Sequence, residues 1–90
     1  MNSIADSIRE QLADENPKAL FADGFDEALV GIARRCGQPA LAIYERAKCI
    51  EILSREMTTT EAEEYFEFNV SGAWLGENTP IFMDTCNLDA

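Results

Sequence analysis

The chain has 90 residues, an apolar fraction of 47% and a formal net charge of −10 at pH 7. This length predicts one domain with a modest core, and the apolar fraction is ordinary for a folded protein. No run approaches the ~20 apolar residues that a membrane-spanning helix needs. The first residues, MNSIADSIRE, have neither the basic nor the apolar part of a secretory signal, so we expect a cytoplasmic protein.

The residue types that carry most enzyme chemistry are sparse. The chain has no His, and so lacks the usual general base and the commonest metal ligand. Three cysteines, Cys36, Cys49 and Cys86, form no paired spacing, which favours a reduced setting. We expect Cys36 to be a small core residue. A zinc site and a triad hydrolase are disfavoured, and the sequence predicts no catalytic residue, no metal site and no cofactor.

Charge is unevenly distributed along the chain. Residues 34–55 hold five cations and two acids, whereas residues 56–90 hold eight acids and no cation. We expect Arg34 and Arg35 to pair with acidic residues of the same molecule, on a helix that is predicted to start near residue 60. The negative net charge argues against direct binding to nucleic acid, which requires neutralisation of phosphates. The ordinary explanation of the acid is solubility and a solvated helix face.

The first predicted element is a helix over residues 3–15, capped by Ser3. Its apolar stripe consists of Ile4, Ile8 and Leu12. The stripe is narrow and leaves two outcomes open, packing on the core or on a second copy of the helix. Asn16 is placed to cap a new turn, and residues 18–22 predict a short helical turn.

A second main helix is predicted over residues 25–36, with Asp23 as its cap and Gly37 just beyond its end. Its apolar residues recur at helical spacing: Phe25, Leu29, Ile32 and Cys36. Gly31 in the interior of a helix costs about 1 kcal/mol relative to Ala. A close approach between two helices would explain it.

Residues 40–44 alternate large and small apolar side chains, which predicts a strand. A helix is predicted over residues 45–56. A further helix starts near residue 60 from a capping box, formed either by Thr58 with Glu61 or by Thr60 with Glu63, and ends between Gly72 and Gly76. Residues 80–83 predict a short extended segment.

Together these segments predict a mostly helical α+β fold in the order ααβααβ, in which a small two-stranded sheet lies on the helices. An all-α bundle, with both extended segments as loops, is the alternative. Residues 1–90 are expected to form a single domain, with a peripheral N-terminal helix at 1–15 and a core at 23–83. The predicted core consists of Phe25, Leu29, Ile32, Ile50, Leu53, Phe66 and Val70.

Three blocks of the sequence carry a resemblance to a known family: DGFDEALVGIARRCGQP, AIYERAKCIEIL and EAEEYFEFNVSGAWLGENTPIF. They are similar to motifs of small acidic proteins encoded by bacteriophages and prophages, over about residues 23–82. The resemblance brings no activity and no site residues with it. It implies a viral or prophage context in a bacterial cytoplasm, where small acidic proteins often act by binding host proteins.

The helix from about residue 60 holds the clearest functional candidate. Phe66 lies on its apolar side with Asn69, whose amide would need hydrogen-bond partners if buried. Phe68 lies on the polar side with Glu64 and Glu61. A large aromatic residue on an acidic face is either covered by the first helix or left for a partner. We therefore hypothesise that Phe68, Glu64 and Glu61 contribute to a partner-binding face.

Two other groups of residues have a structural and a functional interpretation. Asp23, Asp26 and Glu27 resemble a carboxylate metal site, but a helix cap and the helix dipole explain them without a metal. Trp74 and Tyr65 are either part of the core or part of a recognition hot spot, because Trp and Tyr dominate such sites.

Two function classes remain. The first is an accessory protein that binds a host or viral protein and performs no catalysis. The second is a nucleic-acid mimic, of the anti-restriction or anti-CRISPR type, whose acidic helix occupies a DNA-binding protein of host defence. Clustered rather than spread acids favour the first class. The N-terminal helix is, in addition, a candidate homodimer contact.

Overall fold

The computed structural model describes residues 4–73 and 75–85. In this part of the chain, three α-helices and three strands form an α+β fold. They are α1 (Ile4–Glu15), β1 (Leu29–Ala33), β2 (Leu41–Glu45), α2 (Arg46–Leu53), α3 (Thr59–Tyr65) and β3 (Ile81–Met83). A 3₁₀ turn (Asp26–Ala28) precedes β1, and a π-helical segment (Phe66–Ser71) continues α3. The order αββααβ replaces the predicted ααβααβ.

The predicted helix over residues 25–36 is wrong. Only a 3₁₀ turn forms there, and the chain then becomes strand β1. Phe25 and Leu29 have helical spacing, and both are buried as predicted. Val30 and Ile32 are β-branched, however, and such side chains fit a pleated sheet better than a helix. Residues 29–33 form a strand because they pair with β2, which lies outside the stretch of sequence that has helical spacing.

The sheet has three strands in the order β1-β2-β3, where two were predicted. β1 and β2 form an antiparallel hairpin in which Ile32 lies opposite Ala42. β3 pairs parallel to β2, with Phe82 beside Tyr44. β2 and β3 match the two predicted extended segments, so the missing strand is the one whose residues were assigned to a helix.

Two glycines have roles that differ from those predicted. Gly37 has a φ of 77° in the turn between β1 and β2, a conformation that only glycine adopts without strain. Cys36 is exposed beside it, not buried in the core as predicted. Gly31 lies in β1, where a Cβ atom would stand 3.3 Å from Cγ2 of Ile43. The close approach at Gly31 is therefore between strands and not between helices.

Helix α1 packs on the sheet of its own chain. Its buried residues, Ala5, Ile8 and Leu12, join the same core cluster as residues of β1 and β2. Ile4, at the start of the stripe, is 73% exposed. The predicted cap, Ser3, lies outside the described residues. The narrow stripe was expected to pack either on the core or on a second copy of the helix. Ile8 and Leu12 pack on the core.

Helix α3 begins as its capping box predicts. The N–H of Glu61 donates to Oγ1 of Thr58 at 3.2 Å, and the N–H of Thr58 donates to Oε1 of Glu61 at 3.2 Å. The box is therefore Thr58 with Glu61 and not Thr60 with Glu63. Because these bonds satisfy free N–H groups at the helix start, they fix where the helix begins.

Three aromatic rings form the centre of the core. The Phe82 ring lies 5.6 Å from that of Tyr44 and 5.1 Å from that of Phe66, measured between centroids. The Tyr44 hydroxyl accepts a hydrogen bond from the N–H of Ala22 at 2.9 Å, and burial raises the pKa of this phenol. Tyr44 was not included in the predicted core, because its hydroxyl group makes burial hard to predict from the sequence.

The predicted core is largely confirmed. Three of its members are buried: Phe25, Leu29 and Phe66. The other four are half-buried and pack against the core cluster: Ile32, Ile50, Leu53 and Val70.

Asn16 ties three parts of the fold together at the end of α1. Its Nδ2 donates to the carbonyl oxygen of Ala40 at 2.8 Å and to Oδ1 of Asn78 at 2.9 Å. Its Oδ1 accepts from the N–H of Lys18 at 3.2 Å. The predicted helical turn over residues 18–22 does not form, and the chain there is a turn followed by a loop.

Candidate functional site

The π-helical segment changes the direction of the helix surface beyond α3. Such wide turns are rare in proteins, and those that do occur are frequently found at functional sites. The segment is followed by Gly72, where a Cβ atom would lie 2.7 Å from the carbonyl oxygen of Glu67. Since real Cβ atoms do not approach a carbonyl so closely, the path of the chain requires glycine at this position.

The three residues predicted to bind a partner, Phe68, Glu64 and Glu61, are all exposed along α3 and the π segment, and we call them the Phe68 ridge. Phe68 is 82% exposed, more than any other large apolar side chain in the described part of the protein. Glu64 precedes it by four residues, which is close to one full turn in an α-helix and also in the wider π turn, so the two side chains lie on the same side of the helix. Helix α1, the candidate cover, packs on the sheet instead.

The two carboxylates of the Phe68 ridge have different surroundings. Oε1 of Glu61 accepts from the Thr58 hydroxyl at 2.9 Å as well as from the Thr58 N–H, so it belongs to the helix cap. Among the described residues, Glu64 has no hydrogen bond or ion pair. A partner can therefore bind Glu64 without breaking an interaction within the chain.

Asn69 is exposed, which corrects the prediction that it lies in the buried stripe. Its Nδ2 donates to the carbonyl oxygen of Tyr65 at 3.3 Å. A π turn holds more residues than an α turn, so residues after Phe66 rotate away from the positions that the α-helical period assigns to them.

A groove of about 390 Å³ opens beside the π segment, and we call it the π groove. It lies between the loop of residues 20–25, the end of α2, the segment of residues 65–73 and the segment of residues 75–82. Four apolar side chains in its walls are Phe21, Leu53, Val70 and Phe82, with Tyr65 and Asn69 adding polar groups. Sequence reasoning missed the groove because its walls come from four separate segments.

Arg46 fastens the π segment to the start of α2. Its Nη2 donates to Oε1 of Glu67 at 2.6 Å, and its guanidinium carbon lies 5.6 Å from the centroid of the Phe66 ring. The hydrogen bond with Glu67 raises the pKa of Arg46. Because Glu67 forms an ion pair with Arg46, it is less available to a partner than Glu64, which has no such interaction among the described residues.

The prediction that Arg34 pairs with the acidic helix is wrong. Its Nε donates to Oε1 of Glu15, the last residue of α1, at 2.8 Å. This hydrogen bond lowers the pKa of Glu15 and raises that of Arg34. Arg35 has no ion pair within the described part of the chain, so the predicted pairing is not found for it either.

Two members of the acidic group Asp23, Asp26 and Glu27 form ion pairs with arginines from other parts of the chain. Asp26 accepts from Arg9 at 2.6 Å, and Glu27 accepts from Arg55 at 2.8 Å. Asp23, the third member, is exposed in a turn. Across the described residues, no group of three His, Cys, Asp or Glu side chains is placed to hold a metal ion.

Cys49 is the buried thiol of the described residues. Burial, with a smaller effect of the Glu45 charge, raises its pKa to about 12. A thiol in this state is protonated near neutral pH and is a poor nucleophile, so Cys49 acts as a packing residue. The other aromatic candidate of the sequence, Trp74, lies outside the described residues, while Tyr65 is exposed at the π groove.

Searches of protein-family models, curated proteins and solved structures return no match to this chain. In the described ranges, no helix is both long enough and apolar enough to cross a membrane.

Proposed function

We propose that this chain is a binding protein that uses the Phe68 ridge to engage a cationic surface on another protein. The single observation that carries the proposal is the 82% exposure of Phe68 on a helix side that it shares with a free carboxylate, Glu64. Solvent exposure of one apolar residue is ordinary by itself. An aromatic anchor with a charged rim is the usual composition of a protein-binding hot spot.

The expected energetics follow from the side chain. Fully burying a Phe side chain contributes roughly 1.5–3 kcal/mol, and most of the Phe68 surface is still available for burial. The partner is expected to be basic, because the chain carries a net charge of −10 and Glu64 stands next to the aromatic ring. Electrostatic attraction of this kind mainly raises the association rate and selects the partner.

The bacteriophage or prophage context belongs to the same proposal, and it makes host proteins of a bacterium the first partners to test. The π groove is a separate surface of the same helix, because Tyr65 and Asn69 line it and none of Phe68, Glu64 and Glu61 does.

A nucleic-acid mimic remains the second candidate, because α3 and the π segment carry four exposed glutamates: Glu61, Glu63, Glu64 and Glu67. Two of them, Glu61 and Glu67, already bind groups of the same chain. This leaves an interrupted row of charge, whereas mimicry of phosphates needs a continuous one. Protein binding through Phe68 is therefore the better supported of the two.

The test compares retention of bacterial proteins on immobilised full-length variants. Phe68→Ala removes the anchor, and Ile4→Ala is the matched control, because Ile4 is 73% exposed on a different element. We expect Phe68→Ala to weaken capture of a specific protein about tenfold or more, and Ile4→Ala to leave it unchanged. Equal capture by both variants would refute the proposal.

Elution across a salt gradient separates the two candidates. An interface anchored by Phe68 retains its partner at high salt, while a phosphate mimic loses it steeply, because exposed charge pairs are screened. If capture disappears at moderate salt and is insensitive to Phe68→Ala, the mimic replaces the proposal.

A further inference from the structure

The two sides of the three-stranded sheet are covered differently. On one side, Ala42 and Tyr44 are buried in the core cluster under the helices. The other side, which we call the outer sheet face, has an apolar part of five residues, Ala33, Leu41, Ile43, Ile81 and Met83, and carries Glu45 at its end beside Met83. The pairing places them together, since Ala33 lies opposite Leu41 and Ile43 beside Ile81. None of the five belongs to the core cluster or packs against it.

The composition of this face is unusual for one that meets water. A sheet with one solvated side alternates apolar and polar residues, whereas strands covered on both sides read as continuous apolar runs. Strand β2 reads LAIY before its final glutamate, and β3 reads IFM. The strands therefore have the composition of a sheet covered on both sides, whereas the outer side is only partly covered: Ile81 is 39% exposed and the other four apolar residues are half-buried.

We propose that a second copy of this chain covers the outer sheet face, so that two copies associate face to face. Sheets packed in this way lie ~10 Å apart and interdigitate their side chains. The centre of the face is formed by Ile43 and Ile81, which pair side by side, so a second copy can place the same two apolar side chains against them. Helix α1, the contact expected from the sequence, is not required, because Ile8 and Leu12 are already buried within the chain.

Charge at the two ends of the face favours a second copy. Arg35 borders the end near Leu41, where Glu77 also lies, and Glu45 ends β2 at the other side. Neither Arg35 nor Glu45 has an ion pair among the described residues. A two-fold axis between the sheets and perpendicular to the strands reverses the strand direction. It places the Arg35 end of one copy over the Glu45 end of the other, as a closed symmetric contact requires.

The size of the face limits the strength of the contact. Strands β1 and β2 have five residues and β3 has three. At ~4.8 Å between strands and ~3.3 Å per residue, the face spans at most roughly 14 by 17 Å. This is well below the ~800 Å² per partner of a standard interface. We therefore expect a dimer that dissociates on dilution, in rapid exchange with the monomer.

Sedimentation of the full chain from micromolar to millimolar concentration tests the proposal. Ile81→Lys places a charge in the outer sheet face, and Val30→Lys is its matched control, because both residues are 39% exposed and Val30 lies off this face beside Ile4. We expect Ile81→Lys to weaken self-association about tenfold or more, while Val30→Lys and Phe68→Ala leave it unchanged. Melting curves establish that each variant is folded.

A charge exchange provides a second, independent readout if Ile81→Lys fails to fold. Arg35→Glu and Glu45→Arg should each weaken association, and the double variant should restore it, because the pair is formed between copies. A wild type that stays monomeric at millimolar concentration overturns the proposal. Equal weakening by Ile81→Lys and Val30→Lys does so as well, and loss through Ile4→Lys alone would assign the contact to α1.

Discussion

Phe66 and Phe68 are two residues apart in the same π segment, yet one is 0% exposed and the other 82%. The Phe66 ring contacts the edge of Phe82 and lies under the guanidinium of Arg46. Phe68 points away from this core and shares its side of the helix with Glu64. Position around the helix, and not residue type, therefore separates a side chain that stabilises this fold from one that is available for recognition.

The largest effect is expected at Phe66. Truncation to Ala leaves a cavity between α3, Phe82 and Arg46, and such changes cost roughly 3–5 kcal/mol. A protein of typical stability, ~5–15 kcal/mol, would lose a large part of its free energy of unfolding. Denaturant unfolding at neutral pH measures the loss. An unchanged unfolding midpoint would contradict the placement of Phe66 at the centre of the core.

The burial of Phe66 and the exposure of Phe68 could be predicted from the sequence, because both depend on residues close by in the chain. The capping box and the apolar spacing placed Phe66 inside and Phe68 outside, because both signals act within one or two helical turns. Asn69 was misplaced, since the α-helical period does not hold through a π turn. Strand β1 was missed for a related reason, because its partner β2 lies beyond the local window in which Phe25 and Leu29 have helical spacing.

Two asparagines extend the comparison from apolar to polar side chains. Asn16 is buried, and Asn16→Ala would leave the carbonyl oxygen of Ala40 without its donor, at an expected cost of about 1–3 kcal/mol. Asn69 in the π segment is exposed, and Asn69→Ala should change the free energy of unfolding by at most about 0.5 kcal/mol. Thermal unfolding of both variants measures the difference, and equal losses would refute it.

The candidate site shows the same division between local and distant information. The Phe68 ridge follows from one helix, so periodicity was sufficient to find it. The π groove and the outer sheet face are assembled from segments far apart in the chain, and a pattern search along one segment finds neither. The one sequence signal for a second covered side of the sheet is that β2 and β3 consist almost entirely of apolar residues. A short apolar run of this kind is ambiguous until the topology of the sheet is known.

A smaller effect is expected on acidification, where the exposed ion pairs weaken. Hydrogen bonds from Arg34 and Arg55 lower the pKa values of Glu15 and Glu27 from 4.5. A carboxyl with a lower pKa in the folded state stabilises the fold above its unfolded pKa, and this contribution disappears as pH falls through the folded value. The melting temperature should therefore decrease below pH about 4.5, and less so in a Glu15→Gln, Glu27→Gln double variant.

The acid titration also separates the two kinds of contribution to stability. Phe66 has no titratable group, so the loss caused by Phe66→Ala should be nearly the same at neutral pH and at acid pH while the variant remains folded. A loss that shrinks strongly with acidification would show that the contact between Phe66 and Arg46 depends on the ion pair with Glu67, and that the core and the surface charges are coupled.

The smallest effect is expected at Phe68, and its sign is informative. Phe68→Ala removes little buried surface, and Ala has a higher helix propensity than Phe, so the free energy of unfolding should stay within about 0.5 kcal/mol or rise slightly. Thermal unfolding of dilute protein measures this without interference from self-association. A loss above ~1 kcal/mol would show that Phe68 is packed in solution, since an exposed ring has no contacts to lose. Under the proposed function the ring adds little to stability, because it makes its contacts only when a partner is bound.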